Sequence, residues 1–408
     1  MKTLQRWSLA GLLALASLAA HAQAAAPASA AAQDALRAVI TAPITEARDL
    51  LAAGKFKEAL AKVAEAEKVP DRTPYENFIL DQLRGGAAAG AGDIDTAVRS
   101  FEAALATGRL QGPDALNIVE GLVGSAYRQK DFARAVTWGQ RYLAEGGKSP
   151  QVRRLLVNAL YQRADWPGAA KELQALIGEE ETAGRRPPED LLRLLGSAQN
   201  KQSDTPGYVQ TLERLLRYHP KPAYWRDRVS RVQSASGFDD ALLIDSFRLL
   251  QTVGGLDDAS EYSGLADLAL RAGLPAEAQA VLEAGYAAGK LGAEQQPLRE
   301  RATKLAAADA KQLDIAPAAN ASANALVAQG LALATSGHTV KGLPLIEQGL
   351  AKGGVAKPDL VRLRLAWLSI KAGRNDVARA QLKDLTAAAG GLGELARLWL
   401  IHLDKPAS

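Results

Sequence analysis

The sequence predicts an all-α solenoid in which helical hairpins follow one another and each covers the apolar flank of the one before. Three observations carry this. A short turn cassette recurs, seen at Lys130-Asp131-Phe132-Ala133-Arg134-Ala135 and again at Gly54-Lys55-Phe56…Ala59, Gly92-Asp93-Ile94…Ala97 and Ala164-Asp165-Trp166…Ala169. Further copies are Ser236-Gly237-Phe238…Ala241 and Gly373-Arg374-Asn375…Ala378, with weaker ones ending at Tyr208, Ala278 and Gly342. The cassette ends fall at 59, 97, 135, 169, 208, 241, 278, 342 and 378, a period of 33 to 39 residues broken by one step of 64. Such a period, with helical patterning on both sides of a turn, marks a helix-turn-helix repeat. Small residues also stand where paired helices must approach: Ala59, Ala97, Ala135, Ala169 and Ala378 early in each second helix, and Gly85, Gly196, Ala266, Gly330 and Ala366 on first helices. Phe101, Leu173, Leu212, Leu282 and Leu382, one turn further on, are expected to fill the space between hairpins.

Taken in order, the chain opens with a basic pair, Lys2 and Arg6, and an apolar run from Leu9 to Ala20. That run is shorter than the roughly 20 residues a membrane helix needs. Ala20-His21-Ala22 has the small-residue pattern of a cleavage site, so residues 1–22 are expected to be a signal peptide. Residues 23–33 then form a low-complexity linker. The chain contains no cysteine, which excludes disulfides, thiol nucleophiles, cysteine metal sites and a lipid-acceptor cysteine. The expected address is a bacterial periplasm, reached without a lipid anchor. Helical pattern begins near Asp34, is expected to break at Pro43 and resumes at Ile44, and the solenoid is expected to cover residues 34–314.

The prolines of His219-Pro220-Lys221-Pro222-Ala223-Tyr224-Trp225 predict a rigid turn with the aromatic pair packed below it. The long step holds a helical run, Glu294 to Asp314, followed by residues 315–322, which read as a joint. Residues 323–403 carry two more hairpins and a terminal helix from about Leu392. Leu395, Leu398, Trp399 and His402 share one face of that helix, which is expected to cap the array. Residues 404–408 are expected to be a disordered tail.

The run from Gly124 to Val136, Gly-Ser-Ala-Tyr-Arg-Gln-Lys-Asp-Phe-Ala-Arg-Ala-Val, resembles the tetratricopeptide repeat family, and the likeness covers roughly residues 44–290 and 322–390. Most units lack the proline that usually closes the repeat. The resemblance implies a right-handed superhelical stack, TPR-like, with the first helix of each hairpin lining a concave groove in which a protein or peptide ligand lies.

Catalytic chemistry finds little support. His219, His338 and His402 occur singly, without the spacing of a metal site. The acidic clusters Glu179-Glu180-Glu181, Asp239-Asp240 and Asp257-Asp258 fall at helix ends or loops, where the helix dipole favours them. The glycine-rich run from Gly85 to Gly92 has no preceding strand and no following Lys-Ser/Thr, so it reads as a small-residue helix and not as a phosphate loop. The net charge of +4 falls to +2 once Lys2 and Arg6 leave, so nucleic acid is not implied. No enzyme activity, cofactor or metal is expected.

Counting back 15, 11 and 8 residues from each cassette end gives the groove positions that the resemblance implies. The expected peptide-binding set is Tyr127, Arg154, Asn158, Tyr161, Arg193, Asn200, Arg226 and Gln233, with Glu120, Gly124, Ser197 and Ser230 beside them. Arginines at this level suit an acidic segment or a C-terminal carboxylate, because the planar fork takes a carboxylate in two bonds. Arg154 and Asn158 resemble half of the family's carboxylate clamp, but Leu194 stands where a second asparagine would be expected. The same count gives apolar positions in the last hairpins: Val327, Leu331, Ala334, Leu363, Trp367 and Ile370. Two alternatives remain open: a self-associating structural module with an occluded groove (a homo-oligomer), and an accessory protein for peptidoglycan or polysaccharide handling.

Overall fold

The structure, a computed structural model, describes residues 34–313 and 315–404. The expected signal peptide, the whole expected linker and the last four residues lie outside the described residues. Among the described residues there are twenty α-helices and no strand. The chain is all-α, an array of helical hairpins packed in chain order. It divides into two compact units, Met1–Ala175 and Leu176–Ser408.

Unit 1 contains α1 (Ala38–Ala52), α2 (Phe56–Ala66), α3 (Pro74–Ala91), α4 (Ile94–Ala106), α5 (Gly112–Arg128), α6 (Phe132–Ala144) and α7 (Pro150–Gln162). The unit boundary falls within α8 (Trp166–Thr182). Unit 2 continues with α9 (Glu189–Lys201), α10 (Thr205–Tyr218), α11 (Pro222–Gln233), α12 (Leu243–Thr252), α13 (Ala259–Arg271), α14 (Pro275–Ala287) and α15 (Gln296–Leu313). It ends with α16 (Ala323–Thr335), α17 (Thr339–Lys352), α18 (Pro358–Lys371), α19 (Asn375–Leu385) and α20 (Gly391–Leu403).

The cassette works through one left-handed residue. Gly54, Gly92, Lys130, Ala164, Ser203, Gly273, Gly337 and Gly373 all have φ between +56° and +92°. In each case the amide of the next residue donates to the carbonyl five positions back, at 2.8–2.9 Å, as in Asp131 N to Ala126 O. The left-handed residue's own amide donates three back, as in Lys130 N to Tyr127 O. This pair of bonds satisfies carbonyls that the ending helix would leave bare. The following aspartate then caps the next helix: Asp93, Asp131, Asp165 and Asp204 accept from the amides of Thr96, Arg134, Gly168 and Gly207 at 2.9–3.1 Å. Helix end, reversal and helix start are thus compressed into two residues.

So sharp a reversal presses the helices together, and the small residues take up the contact. Ala59, Ala97, Ala135, Ala169, Ala266, Ala366 and Ala378 are all buried. A Cβ added at Gly85 would lie 2.7 Å from the Phe101 ring. In α16–α17 the approach is backbone to backbone: a Cβ on Gly342 would stand 2.5 Å from the Gly330 carbonyl oxygen. Phe101, Leu173, Leu212, Leu282 and Leu382 are all buried.

Three local features depart from the sequence reading. Pro43 does not break the first helix; α1 runs through it, and Pro344 likewise lies inside α17. Each proline removes one helical hydrogen bond and frees the carbonyl four residues back. Those carbonyls belong to Val39 and Val340, residues in the first turn of their helices that are 63% and 89% exposed, so the lost bond falls at the surface and not in the core. The cassette at Gly237 leads into a 3-10 turn, Asp240–Leu242, before α12 begins at Leu243. Lastly, α20 packs on α19 and also lies against α10, α11, α12 and α18.

Charged contacts hold this return of the C-terminal helices. Arg228, buried on α11, bonds Glu213 of α10 at 3.0 Å and also Glu394 of α20. Arg248 on α12 is 1% exposed and bonds Glu277 of α14 at 2.7 Å and Asp245 at 2.8 Å. Arg364 of α18 reaches the same Asp245 at 3.1 Å. The Arg248 guanidinium also lies 4.1 Å from the Trp367 ring centroid. Burial alone would lower the Arg248 pKa, but Glu277 and Asp245 outweigh it and hold the guanidinium charged. The Val327, Leu331, Leu363 and Trp367 face is buried in this same core, so the apolar inner positions are covered from within the chain.

Two stability predictions follow from this architecture. Ala164→Gly relieves a left-handed alanine and is expected to stabilise by about 0.5–1 kcal/mol in urea unfolding, while Gly92→Ala costs about 1 kcal/mol. A destabilised Ala164→Gly would contradict the turn geometry. Arg248→Met strands two buried carboxylates and is expected to cost roughly 3–5 kcal/mol, measured as a shift of the unfolding midpoint at constant slope.

Candidate peptide-binding faces

The eight expected binding residues divide evenly: Tyr127, Arg154, Asn158 and Tyr161 lie in unit 1, and Arg193, Asn200, Arg226 and Gln233 lie in unit 2. Each side chain is placed by the buried stripe on the opposite side of its helix. On α7, Val152, Leu156, Val157, Ala159 and Leu160 face the core. That orientation leaves Gln151, Arg154, Asn158 and Gln162 exposed along one stripe, at spacings that return to the same face. The stripe offers guanidinium and amide groups and no carboxylate. Among the described residues Arg154 makes no ion pair.

The two tyrosines are placed differently. Tyr127 and Tyr161 are half-buried, and each meets the first aromatic residue of its partner helix edge-on. Their ring centroids lie 5.6 Å from Phe132 and 5.1 Å from Trp166. These contacts lock the hairpin turns, so the rings act first as packing elements. Glu120, also near this face, accepts from the Ser149 hydroxyl at 2.9 Å.

In unit 2, α9 buries Leu192, Leu195, Gly196, Ala198 and Gln199 and exposes Arg193, Ser197 and Asn200. Arg193 has no ion pair among the described residues. On α11 the groups are spoken for: Arg226 pairs with Asp257 at 3.2 Å and Glu261 at 3.4 Å, and Gln233 donates to the Ser246 hydroxyl at 2.8 Å. Asp227 pairs with Arg231 at 2.8 Å and accepts from the Tyr208 hydroxyl at 2.5 Å. Burial first, and then Asp227, raise the Tyr208 pKa. Trp225 is fully buried, so the aromatic pair after Pro222 packs within the unit. Of the four unit 2 residues, then, Arg193 and Asn200 face solvent, whereas Arg226 and Gln233 are tied into neighbouring helices.

The corner between α9 and α11 is a polar knot that spacing alone did not reveal. Glu189 accepts from Lys221 Nζ at 2.8 Å and from the Tyr224 hydroxyl at 2.5 Å. His219, beside it, contacts the Pro187 carbonyl at 2.8 Å through Nε2 and Arg186 at 2.9 Å through Nδ1. Hydrogen bonds from Lys221 and Tyr224 hold the Glu189 carboxyl down at about 2. Burial, together with the bond to Glu189, pushes Tyr224 up to about 12. The sequence signal available was the placement of Glu189 directly after Pro187-Pro188 and of His219, Lys221 and Tyr224 around Pro220 and Pro222.

The sign of each effect on stability is fixed by these shifts. A carboxyl held below its usual value contributes stability that is lost as pH falls from about 4.5 towards 2. A phenol held above its usual value contributes stability that is lost as pH rises from about 10 towards 12. Glu189→Gln is expected to lower stability at neutral pH and to flatten both limbs of the urea-unfolding pH profile. A profile unchanged by the substitution would show that the knot carries no such linkage.

No protein-family model matches the chain, and no curated protein matches it. Among solved structures, a tetratricopeptide repeat protein from Parabacteroides merdae ATCC 43184 is similar over 81% of this chain and 98% of its own, with 13% sequence identity and a TM-score of 0.30.

Proposed function

We propose that this chain is a non-catalytic scaffold that holds a protein segment on its exposed first-helix faces, exported by residues 1–22 to serve cell-envelope assembly in a periplasm. The observation that carries the reading is the α7 stripe. Gln151, Arg154, Asn158 and Gln162 stand exposed in line on a helix whose other side is anchored in the core. Asparagine and glutamine amides can donate to and accept from a peptide backbone, and arginine supplies a carboxylate fork. A rigid helical support keeps the ordering cost on the scaffold side low. The Arg193, Ser197 and Asn200 face of α9 offers a second stretch of the same chemistry.

One observation favours a structural reading for part of unit 2. There α20 lies against α10, α11 and α12 and the groups of α11 are internally paired, which fits a module whose own helix fills the inner surface.

The two readings separate by panning. A displayed peptide library is selected on the mature chain beginning at Gln23, and the selected peptides are re-measured on Arg154→Glu/Asn158→Ala and, separately, on Arg193→Glu. The α7 double variant is expected to weaken the selected peptides at least tenfold while its unfolding midpoint stays within the wild-type range. Failure to enrich any peptide, or equal binding by both variants and wild type, would overturn the scaffold reading. N-terminal sequencing of the exported chain is expected to begin at Gln23.

A further inference from the structure

Charge is unevenly spread along unit 1. Residues 34–120 carry ten lysines and arginines against fourteen acids, whereas residues 121–172 carry nine against four. The basic half also lacks internal compensation. Two of its four acids, Asp131 and Asp165, are helix caps whose oxygens accept from the Arg134 and Gly168 amides. Glu145 is engaged by Arg141 at 2.6 Å. Among the described residues Lys130, Lys148, Arg154, Arg163 and Lys171 have no carboxylate partner, and all five are exposed. In the acidic half Lys62 is bound by Glu46 and Glu65, Arg37 by Glu76, and Arg84 by Glu67 and Asp81, and the remaining cations stand among an excess of carboxylates.

Three of the uncompensated cations, Lys130, Arg154 and Arg163, stand at hairpin turns or on the α7 stripe. Lys130 is the left-handed residue of the α5–α6 turn, and Arg163 caps the C-terminus of α7 beside the corresponding turn into α8. Successive turns lie side by side on one edge, as the Gln129 to Asp95 bond of 2.8 Å shows for the two preceding hairpins. From Arg163 the α7 stripe leads back through Gln162 and Asn158 to Arg154.

We infer that the α5–α8 portion of unit 1 docks an acidic polypeptide segment, with Lys130, Arg154 and Arg163 as its principal charge contacts. The inference rests on the peptide-holding reading above and names the chemistry of the partner. Unpaired cations with positive potential on one edge attract a carboxylate-rich chain, and the α7 amides bond its backbone once it is held. In the acidic half of the unit fourteen carboxylates outnumber ten cations, so a carboxylate-rich chain is repelled there and not drawn in.

The test uses the full mature chain and labelled peptides of equal length, one of glutamate and serine and one of glutamine and serine, read by fluorescence anisotropy. The acidic peptide is expected to bind at least tenfold more tightly than the neutral one at about 0.1 M salt. The preference should vanish near 1 M, where the screening length shrinks from about 10 Å to about 3 Å. Lys130→Gln/Arg154→Gln/Arg163→Gln is expected to lose about tenfold for the acidic peptide, whereas Lys62→Gln loses nothing. Equal binding of both peptides, or a triple variant that binds as wild type, overturns the inference. Saturable binding to phosphatidylglycerol vesicles in the absence of peptide binding also overturns it, in favour of a lipid surface. If library panning still yields neutral peptides sensitive to Asn158, the scaffold reading survives while this one falls.

Discussion

Eight of the hairpins depend on reversing the chain within two residues. The left-handed residue closes one helix through its own amide and its neighbour's, and in four hairpins the neighbour is an aspartate that opens the next helix. No slack remains in such a turn to hold the helices apart. Contact between them must therefore be made by side chains small enough to allow it, which is why alanine and glycine recur at the first crossing. The constraint is steepest in α16–α17, where Gly330, Gly342 and Gly349 bring backbone against backbone. Larger residues would have to open the turn, and opening it would break both the carbonyl bonds and the cap.

Unit 2 adds a second constraint, between parts of the chain far apart in sequence. Arg228 and Arg248 lie almost entirely out of water, and each is met by two carboxylates from different helices. Taking such charges from water costs nearly as much as their pairing returns, so their net contribution to stability is small. Their effect on register is larger. A helix placed one turn away would leave a buried guanidinium or carboxylate unpaired, which costs several times more than a misplaced leucine. Glu394 on α20 and Arg364 on α18 thereby fix where the last helices sit against α11 and α12. The Arg248 contact with Trp367 adds an apolar surface that accepts a cation and nothing else of that shape.

Much of the fold was legible because its determinants are local. The cassette, its period and the small residues lie within a few positions of one another, and a turn that reads Asp-aromatic after a left-handed residue has one structural solution. The long-range pairs were not legible in this way. Nothing near Arg228 in sequence points to Glu394, and the pattern on α20 marks an apolar face without saying which helices it meets. Pro43 shows the opposite failure: a strong local signal for a break was overridden because the carbonyl it frees belongs to an exposed residue. For the expected binding positions, spacing placed Arg154 and Arg226 on equal footing. Only the partners distinguish them, since Asp257 and Glu261, two helices further along the chain, neutralise Arg226.

That distinction bears on how a repeat array can carry both structure and recognition with one residue type. An arginine enclosed by carboxylates is a structural element: its donors are filled, its conformation is fixed, and a passing ligand must compete with a neighbour at far higher effective concentration. An arginine standing alone on a rigid helix keeps five donors directed into solvent at little conformational cost. In this chain Arg226, Arg228 and Arg248 of α11 and α12 are of the first kind, and among the described residues Arg154 of α7 and Arg193 of α9 carry no ion pair. Because hairpin geometry is set by the turns and the small residues, it does not depend on what the exposed stripes carry. The exposed stripes can therefore vary in charge without disturbing the stack, and the paired ones cannot.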